Sequence, residues 1–172
     1  MTKISGRVIK YGINLDTDGI IAAHRLTHGS DIDSIFQFAM EVIDPNFHEK
    51  VSTGHTIIVT GTNFGCGSSR QQAPEVIKKS GIKAIISDSM ARIFFRNSIN
   101  IGLPVFIVPG ISSLVKEGDT ITIDLDLGQV VNESSKTTTS FESFPQFMME
   151  ILRSGGLINH LRTKKQQGAV SE

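Results

Sequence analysis

The chain has 172 residues, with 17 Lys and Arg balanced by 17 Asp and Glu, so it carries no formal net charge. That length predicts one domain able to bury about 70% of its unfolded surface, and the near-average apolar content predicts a soluble globular protein. The absence of a basic block or aromatic platform argues against nucleic acid, and no apolar run approaches the ~20 residues of a membrane span. The N-terminal Met-Thr-Lys-Ile-Ser-Gly lacks the apolar core of a secretion signal. A single cysteine, Cys66, excludes an internal disulfide and suits a reducing cytoplasm.

Taken in order, residues 3–10 alternate Ile4, Gly6 and Val8 with Lys3, Ser5 and Arg7, which predicts a first strand. Residues 11–30 read as a polar loop holding Tyr11, Asp16, Asp18, His24, Arg25 and His28. Ile32, Ile35, Phe36, Ala39, Met40 and Ile43 recur at helical spacing and predict a helix over 32–42. Ser30 or Asp31 would cap it, and Asp44-Pro45 would close it. The β-branched run 56–60 predicts a buried strand, and 71–79 a helix. Residues 84–86 predict a second buried strand, 89–97 a helix with Ile93 toward the core and Asp88 as its cap, and 104–108 a third strand. This βαβαβ run predicts parallel pairing with right-handed crossovers. Beyond it, residues 119–127 alternate as a half-buried strand should, with short strands near Val130 and over 137–141. Two closing helices are expected over 147–152 and 157–161, split by Gly155-Gly156, and the polar end 166–172 is expected to fray.

Between the 56–60 strand and the following helix lies Gly61-Thr-Asn-Phe-Gly-Cys-Gly-Ser-Ser-Arg-Gln-Gln-Ala73. Glycines at 61, 65 and 67 permit positive φ or close backbone approach. Ser68, Ser69 and Arg70 fall at the expected helix start, where free N–H groups and the positive dipole end favour an anion. A Walker loop would need Lys-Ser/Thr after the last glycine, and a dinucleotide fingerprint would need a small residue at Arg70. The hydrolase elbow Gly-x-Ser-x-Gly is also missing. What remains is an anion-binding turn with two hydroxyls and a guanidinium, or else serines that only cap the helix.

The other candidates have plainer readings. Asn14-Leu15-Asp16-Thr17-Asp18-Gly19 opens like a calcium loop, but the place of the final acidic ligand is held by Arg25, so an Asx-turn is expected. His24 and His28 stand four apart without a Glu after the first, and read as loop residues; His48 and His55 receive no role. Arg92 and Arg96 are spaced four apart on a predicted helix, with Arg92 the better structural candidate. Cys66 reads as a packed turn residue.

Asn63-Phe-Gly-Cys-Gly-Ser-Ser-Arg-Gln-Gln-Ala-Pro74 resembles the signature of the aconitase-type swivelling domain, and more closely that of the isopropylmalate dehydratase and homoaconitase small-subunit family. The resemblance runs from near residue 4 to about residue 163. It includes Asn14-Leu-Asp-Thr-Asp18, Ser89-Met-Ala-Arg-Ile-Phe-Phe-Arg-Asn97 and Gly155-Gly-Leu-Ile-Asn-His-Leu161.

The resemblance implies an α/β fold: a single swivelling β/β/α domain over residues 1–165, a mixed sheet with flanking helices. It implies the small subunit of a hydro-lyase that dehydrates and rehydrates a small hydroxy-dicarboxylate. Isopropylmalate, in leucine biosynthesis, is the first expectation, with homoaconitate-type and methylated-malate substrates as alternatives. Activity would require a large subunit. No metal or cofactor is expected on this chain, and a 4Fe–4S cluster is expected on the partner, because one thiol cannot hold such a cluster. By the same resemblance Ser68 is the catalytic base, and Ser69 and Arg70 bind substrate carboxylate. Arg25 and Thr27 belong to the substrate loop, Gly65 and Gly67 shape the turn, and Asp16, Asp18 and Arg92 are structural. The family's loop carries Tyr-Leu-Arg-Thr or a close variant, whereas this chain reads His24-Arg25-Leu26-Thr27, which leaves the substrate's side group open. Outside this class the turn would suit a stand-alone anion-binding module. No recognisable His–Asp pair supports a serine hydrolase.

Overall fold

A seven-stranded mixed sheet runs through the computed structural model, which describes residues 3–26 and 31–168. β1 (Lys3–Lys10) lies at its centre. On one side β2 (His55–Thr60), β3 (Ala84–Ser87) and β4 (Val105–Ile107) follow in parallel. On the other, β5 (Thr120–Asp124), β6 (Gln129–Asn132) and β7 (Thr137–Ser140) follow antiparallel. The strand order is therefore β4-β3-β2-β1-β5-β6-β7. The parallel half was expected from the βαβαβ pattern, and its strands are apolar on both faces because both faces are covered. Ile58 and Ile85 join one buried cluster, with Val76, Ile77 and Phe94. Ile57, Val59 and Ile86 join the other, with Phe106, Ile121 and Ile123.

The helices are α1 (Thr17–Ile20), α2 (Ile32–Ile35), α3 (Phe47–Ser52), α4 (Gln72–Lys79), α5 (Arg92–Ile101), α6 (Ile111–Leu114), α7 (Gln146–Arg153) and α8 (Leu157–Gly168). Several depart from the sequence reading. The expected helix over 32–42 ends at Ile35, passes into a 3-10 turn at Phe36–Phe38, and reaches Met40 with φ +62°. Ile35, Ala39 and Met40 are buried as the pattern requires, but the Met40 N–H donates to Ile20 O at 2.8 Å, which draws the chain off a helical path. The expected 11–30 loop holds α1 and a 3-10 turn at Ala23–Arg25, and the segment between Pro45 and β2, for which no element was expected, holds α3. Asp31 stands at the α2 N-cap without a side-chain bond; Ser30 lies outside the described residues.

α5 begins three residues later than expected, because a parallel bridge between Phe64 and Met90 keeps the preceding segment extended. Its buried face is Phe94, Ser98 and Ile99, which leaves Ile93 43% exposed rather than in the core. Asp88 does not cap it, but accepts from the Ser112 N–H at 3.1 Å and from the Ser112 hydroxyl. α8 continues to Gly168, so 166–168 are helical rather than frayed; 169–172 lie outside the described residues.

A polar ladder fixes the end of β1. The Tyr11 hydroxyl donates to Asp44 Oδ2 at 3.0 Å, Lys50 Nζ reaches the same oxygen at 2.8 Å, and the Asn46 N–H donates to Oδ1 at 3.1 Å. Burial pushes the pKa of the Asp44 carboxyl up, but the bonds from Lys50 and Tyr11 outweigh it and hold the group below its ordinary value. The Lys50 ammonium is raised by its bond to Asp44, and the Tyr11 phenol is raised by burial and then by the Asp44 charge. Asp44→Ala is expected to cost about 2 kcal/mol at neutral pH, because it leaves the Tyr11 hydroxyl and the Asn46 N–H without their acceptor, while Lys50 keeps Glu117 at 3.4 Å. Since the folded pKa of Asp44 is depressed, its contribution is present above about pH 4 and is lost as pH falls through the folded value. The gap in melting temperature between wild type and variant, about 4–8 °C at pH 7, should therefore close on acidification. A gap that stayed constant with pH would assign the cost to packing alone.

Candidate active site

β2 delivers the chain into the glycine turn, and two neighbouring segments hold the turn in place. On one side the Gly65 N–H donates to Leu15 O at 2.8 Å and the Thr17 N–H to Cys66 O at 2.9 Å, forming a short parallel bridge. On the other the Phe64 N–H donates to Ser89 O at 3.1 Å and the Ala91 N–H to Phe64 O at 2.9 Å. The fully buried Phe64 ring meets Phe94 edge to face with centroids 5.0 Å apart. Gly65 has φ +71° and Gly67 φ +97°. A methyl group at Gly65 would overlap the Phe94 ring, and one at Gly67 would lie 3.2 Å from Thr17 Oγ1. Both positions therefore need glycine for conformation and for space.

Residues 68–70 follow in an irregular stretch, not at the helix start as expected. α4 begins at Gln72 with Gln71 at its N-cap position, and neither serine caps it. Ser68 Oγ lies 3.0 Å from Thr17 Oγ1, and the Ser68 N–H donates to the same Thr17 oxygen at 3.1 Å. Among the described residues no group accepts a hydrogen bond from the N–H of Ser69 or Arg70. The Arg70 guanidinium donates from Nη1 to Asp18 Oδ1 at 2.5 Å. Asn97 Nδ2 donates to Ser69 O at 3.3 Å, which ties the turn to α5.

The segment 16–18 supports this turn residue by residue. Asp16 caps α1 by accepting from the Gly19 N–H at 2.7 Å, Thr17 holds Ser68, and Asp18 pairs with Arg70. Asp18 is 57% exposed, so its pair with Arg70 is worth little and yields readily to a competing carboxylate.

Arg25 sits on the 3-10 turn at Ala23–Arg25, and its fork is filled from within the chain. Nε donates to Glu41 Oε1 at 2.9 Å and Nη2 to Glu41 Oε2 at 3.0 Å, with the guanidinium carbon 3.7 Å from the Phe38 ring centroid. Thr27 lies outside the described residues, as does His28. Arg92 is exposed at the start of α5, and Arg96 is exposed one turn later. Cys66 is half-buried with a free thiol. Among the described residues no three His, Cys, Asp or Glu side chains gather as metal ligands, and a lone thiol does not fit an iron–sulfur cluster. Nor is any described helix long and apolar enough to cross a membrane.

Thr17, Phe38, Glu41 and Asn97 are contacts of the site that the sequence reading left unassigned. Thr17 carried one usable signal, a hydroxyl set between two aspartates beside the glycine turn. Chemically, the turn can bind a carboxylate and can stabilise a serine oxygen. It supplies no Lewis acid of its own.

Comparison with known proteins agrees with this geometry. The family model of the aconitase C-terminal domain matches residues 17–108. A 3-isopropylmalate dehydratase small subunit from Aliarcobacter butzleri is 46% identical over 167 residues, which is 97% of this chain and 99% of the relative. An isopropylmalate/citramalate isomerase small subunit from Methanocaldococcus jannaschii is 46% identical over 161 residues, 94% of this chain and 95% of the relative. The crystal structure of a 3-isopropylmalate dehydratase chain from the same archaeon superposes with a TM-score of 0.90 at 42% identity, covering 99% of each chain. With its mixed sheet, its glycine turn and these full-length likenesses, the chain belongs to the 3-isopropylmalate dehydratase small-subunit family, which carries the aconitase C-terminal domain.

Proposed function

We propose that this chain is the small subunit of a cytoplasmic hydro-lyase that interconverts 3-isopropylmalate and 2-isopropylmalate by loss and re-addition of water in leucine biosynthesis. Residues 1–165 act as its swivelling domain. The observation that carries this reading is the turn at 68–70, which presents two hydroxyls, a guanidinium and two N–H groups that lack an acceptor among the described residues, and which is held by contacts from residues 16–18.

Each group has a role. Ser68 Oγ takes the proton from the substrate carbon beside a carboxylate, and returns it on rehydration. Serine is a weak base, so its alkoxide requires donors close by. Arg70 leaves Asp18 to grip a substrate carboxylate with its planar fork, and Ser69 orients the same group. Arg25 and Thr27 belong to the loop that meets the substrate's side group. Arg25 would exchange Glu41 for a substrate carboxylate.

The donor set of this chain does not fit the 4Fe–4S cluster that such an enzyme uses, so the cluster resides on the large subunit. The Lewis-acid chemistry of the cluster enters only with that partner. Ile13 and Val42, 65% and 67% exposed, line the same groove as Asp16 and Asp18. Apolar surface beside an incomplete site suits completion by a second chain.

Anaerobic co-expression with the large subunit should give a complex that turns over 3-isopropylmalate, read by the ultraviolet absorbance of the unsaturated acid. Each chain alone should be silent. Citramalate belongs in the substrate panel because the archaeal relative's name includes it, and a homoaconitate-type acid belongs there because of the altered loop at 24–27. An intact complex with a loaded cluster and no turnover of any panel member would favour the anion-binding module.

A further inference from the structure

Thr17 is 1% exposed, and its hydroxyl lies within reach of three atoms of one residue: Ser68 Oγ at 3.0 Å, Ser68 N at 3.1 Å and Ser68 O at 3.4 Å. We infer that Thr17 is the positioning residue for the base, donating the hydrogen bond that holds the Ser68 oxygen in place when that oxygen is unprotonated. This rests on the reading of Ser68 as base.

Proton counting carries the argument. A threonine hydroxyl has one proton and two lone pairs. One lone pair of Thr17 receives the Ser68 N–H, which fixes the oxygen. While Ser68 is neutral, its own proton can point to the second lone pair, and the Thr17 proton points to the Ser68 carbonyl. Once Ser68 has lost its proton, its Oγ can only accept. Rotation about the Thr17 C–O bond then swings the Thr17 proton from the carbonyl to Ser68 Oγ. No heavy atom needs to move. The donor is buried, so water does not compete for it, and a hydrogen bond to an ionised oxygen is stronger than a neutral one.

The surroundings fix this hydroxyl. The Thr17 N–H is held by Cys66 O at 2.9 Å, and Asp16 caps the turn that Thr17 begins. Threonine's branched Cβ restricts χ1, which keeps its oxygen aimed. Gly67 leaves this oxygen its space, since a side chain there would press on it at 3.2 Å.

The test uses the assembled two-chain enzyme with 3-isopropylmalate and the variants Thr17→Val, Thr17→Ser and Ser68→Ala. Thr17→Val keeps the volume and removes the donor. Its kcat is expected to fall about 10- to 100-fold, as for loss of one hydrogen bond to a charged group, with KM within about twofold. Loss of the donor raises the pKa of Ser68, so the acidic limb of the kcat–pH profile should move to higher pH. Thr17→Ser should restore most of kcat and return the limb to its wild-type place.

A Thr17→Val enzyme with wild-type kcat and pH limb would overturn the inference. So would a loss of kcat that Thr17→Ser fails to restore, or one that leaves the limb unmoved. Should Thr17→Val fail to assemble, Thr17→Cys, a weak donor of similar size, replaces it with the same expected shift in the limb and the same overturning result. Retained activity in Ser68→Ala would instead sink the base assignment. An inactive Ser68→Ala beside an unaffected Thr17→Val would sink only the role of Thr17.

Discussion

Ser68→Ala is expected to lower kcat of the two-chain enzyme by about a thousandfold or more, within or beyond the usual range for removing a general base, while KM changes by less than about fivefold. The substitution removes one half-buried oxygen and little else. The path of the turn is set by Gly65 and Gly67, by the Gly65 N–H to Leu15 O and by the Thr17 N–H to Cys66 O, none of which involves the serine side chain. The Ser68 N–H keeps its bond to Thr17 Oγ1. Melting temperature and co-elution with the partner should therefore stay near wild type, which separates a chemical loss from a folding loss. Ser69→Ala is the internal comparison. Its side chain is exposed, and its carbonyl rather than its hydroxyl is bonded to Asn97. Its loss should raise KM more than it lowers kcat, the pattern of a group that orients a carboxylate. Arg70→Lys should likewise raise KM, because an ammonium lacks the planar fork. If Ser68→Ala kept kcat within tenfold while Ser69→Ala abolished it, the base would be Ser69.

Local patterns made the parallel half of the sheet legible, and long-range contacts hid the rest. The β-branched run of β2, the apolar run of β3 and the helical spacing of α4 each state their own conformation, so the strand–turn–helix unit could be read without its neighbours. The glycines of the turn could be read for the same reason, since positive φ is a property of the residue. The position of Ser68 relative to its supports could not. Its hydroxyl is held by a residue 51 positions away, across a bridge that exists only once residues 14–17 lie beside the turn. The segment 32–42 misled because periodicity reports burial rather than conformation: Ile35, Ala39 and Met40 are buried as the pattern requires, although Ile43, the last residue of that pattern, is 41% exposed. A folded turn and a helix can bury most of the same residues. What chose the turn was the bond from the Met40 N–H to Ile20 O, a contact with no trace in the local sequence. The fork between Arg25 and Glu41 depends on that same turn. It was invisible for the same reason.

The largest effect on stability is expected at a position that carries no side chain at all. Gly65→Ala should destabilise the chain by about 2–5 kcal/mol, combining about 1–2 kcal/mol for an L-residue in the left-handed region with about 1–3 kcal/mol for overpacking. For a chain of this size that lowers the melting temperature by about 4–20 °C. The overpacking arises because the new methyl group would meet Cβ, Cγ and Cδ2 of Phe94, a side chain 1% exposed and in edge contact with Phe64. The Phe94 ring cannot swing toward solvent, and the Gly65 backbone is pinned by its bond to Leu15 O. Trimming the obstacle should therefore relieve part of the cost: Gly65→Ala with Phe94→Leu should lose less than the two single variants added together. Strict additivity in that pair would locate the penalty in backbone strain alone. Gly67→Ala makes the contrasting case, since the methyl group there meets a hydroxyl rather than a ring, at 3.2 Å from Thr17 Oγ1. Its strain is of the same kind, at φ +97°, but the displaced atom is the one that holds Ser68. At equal loss of melting temperature, Gly67→Ala should thus lose more kcat in the assembled enzyme than Gly65→Ala. The reverse order would mean that the site depends on the packing behind the turn more than on the aim of the Thr17 oxygen.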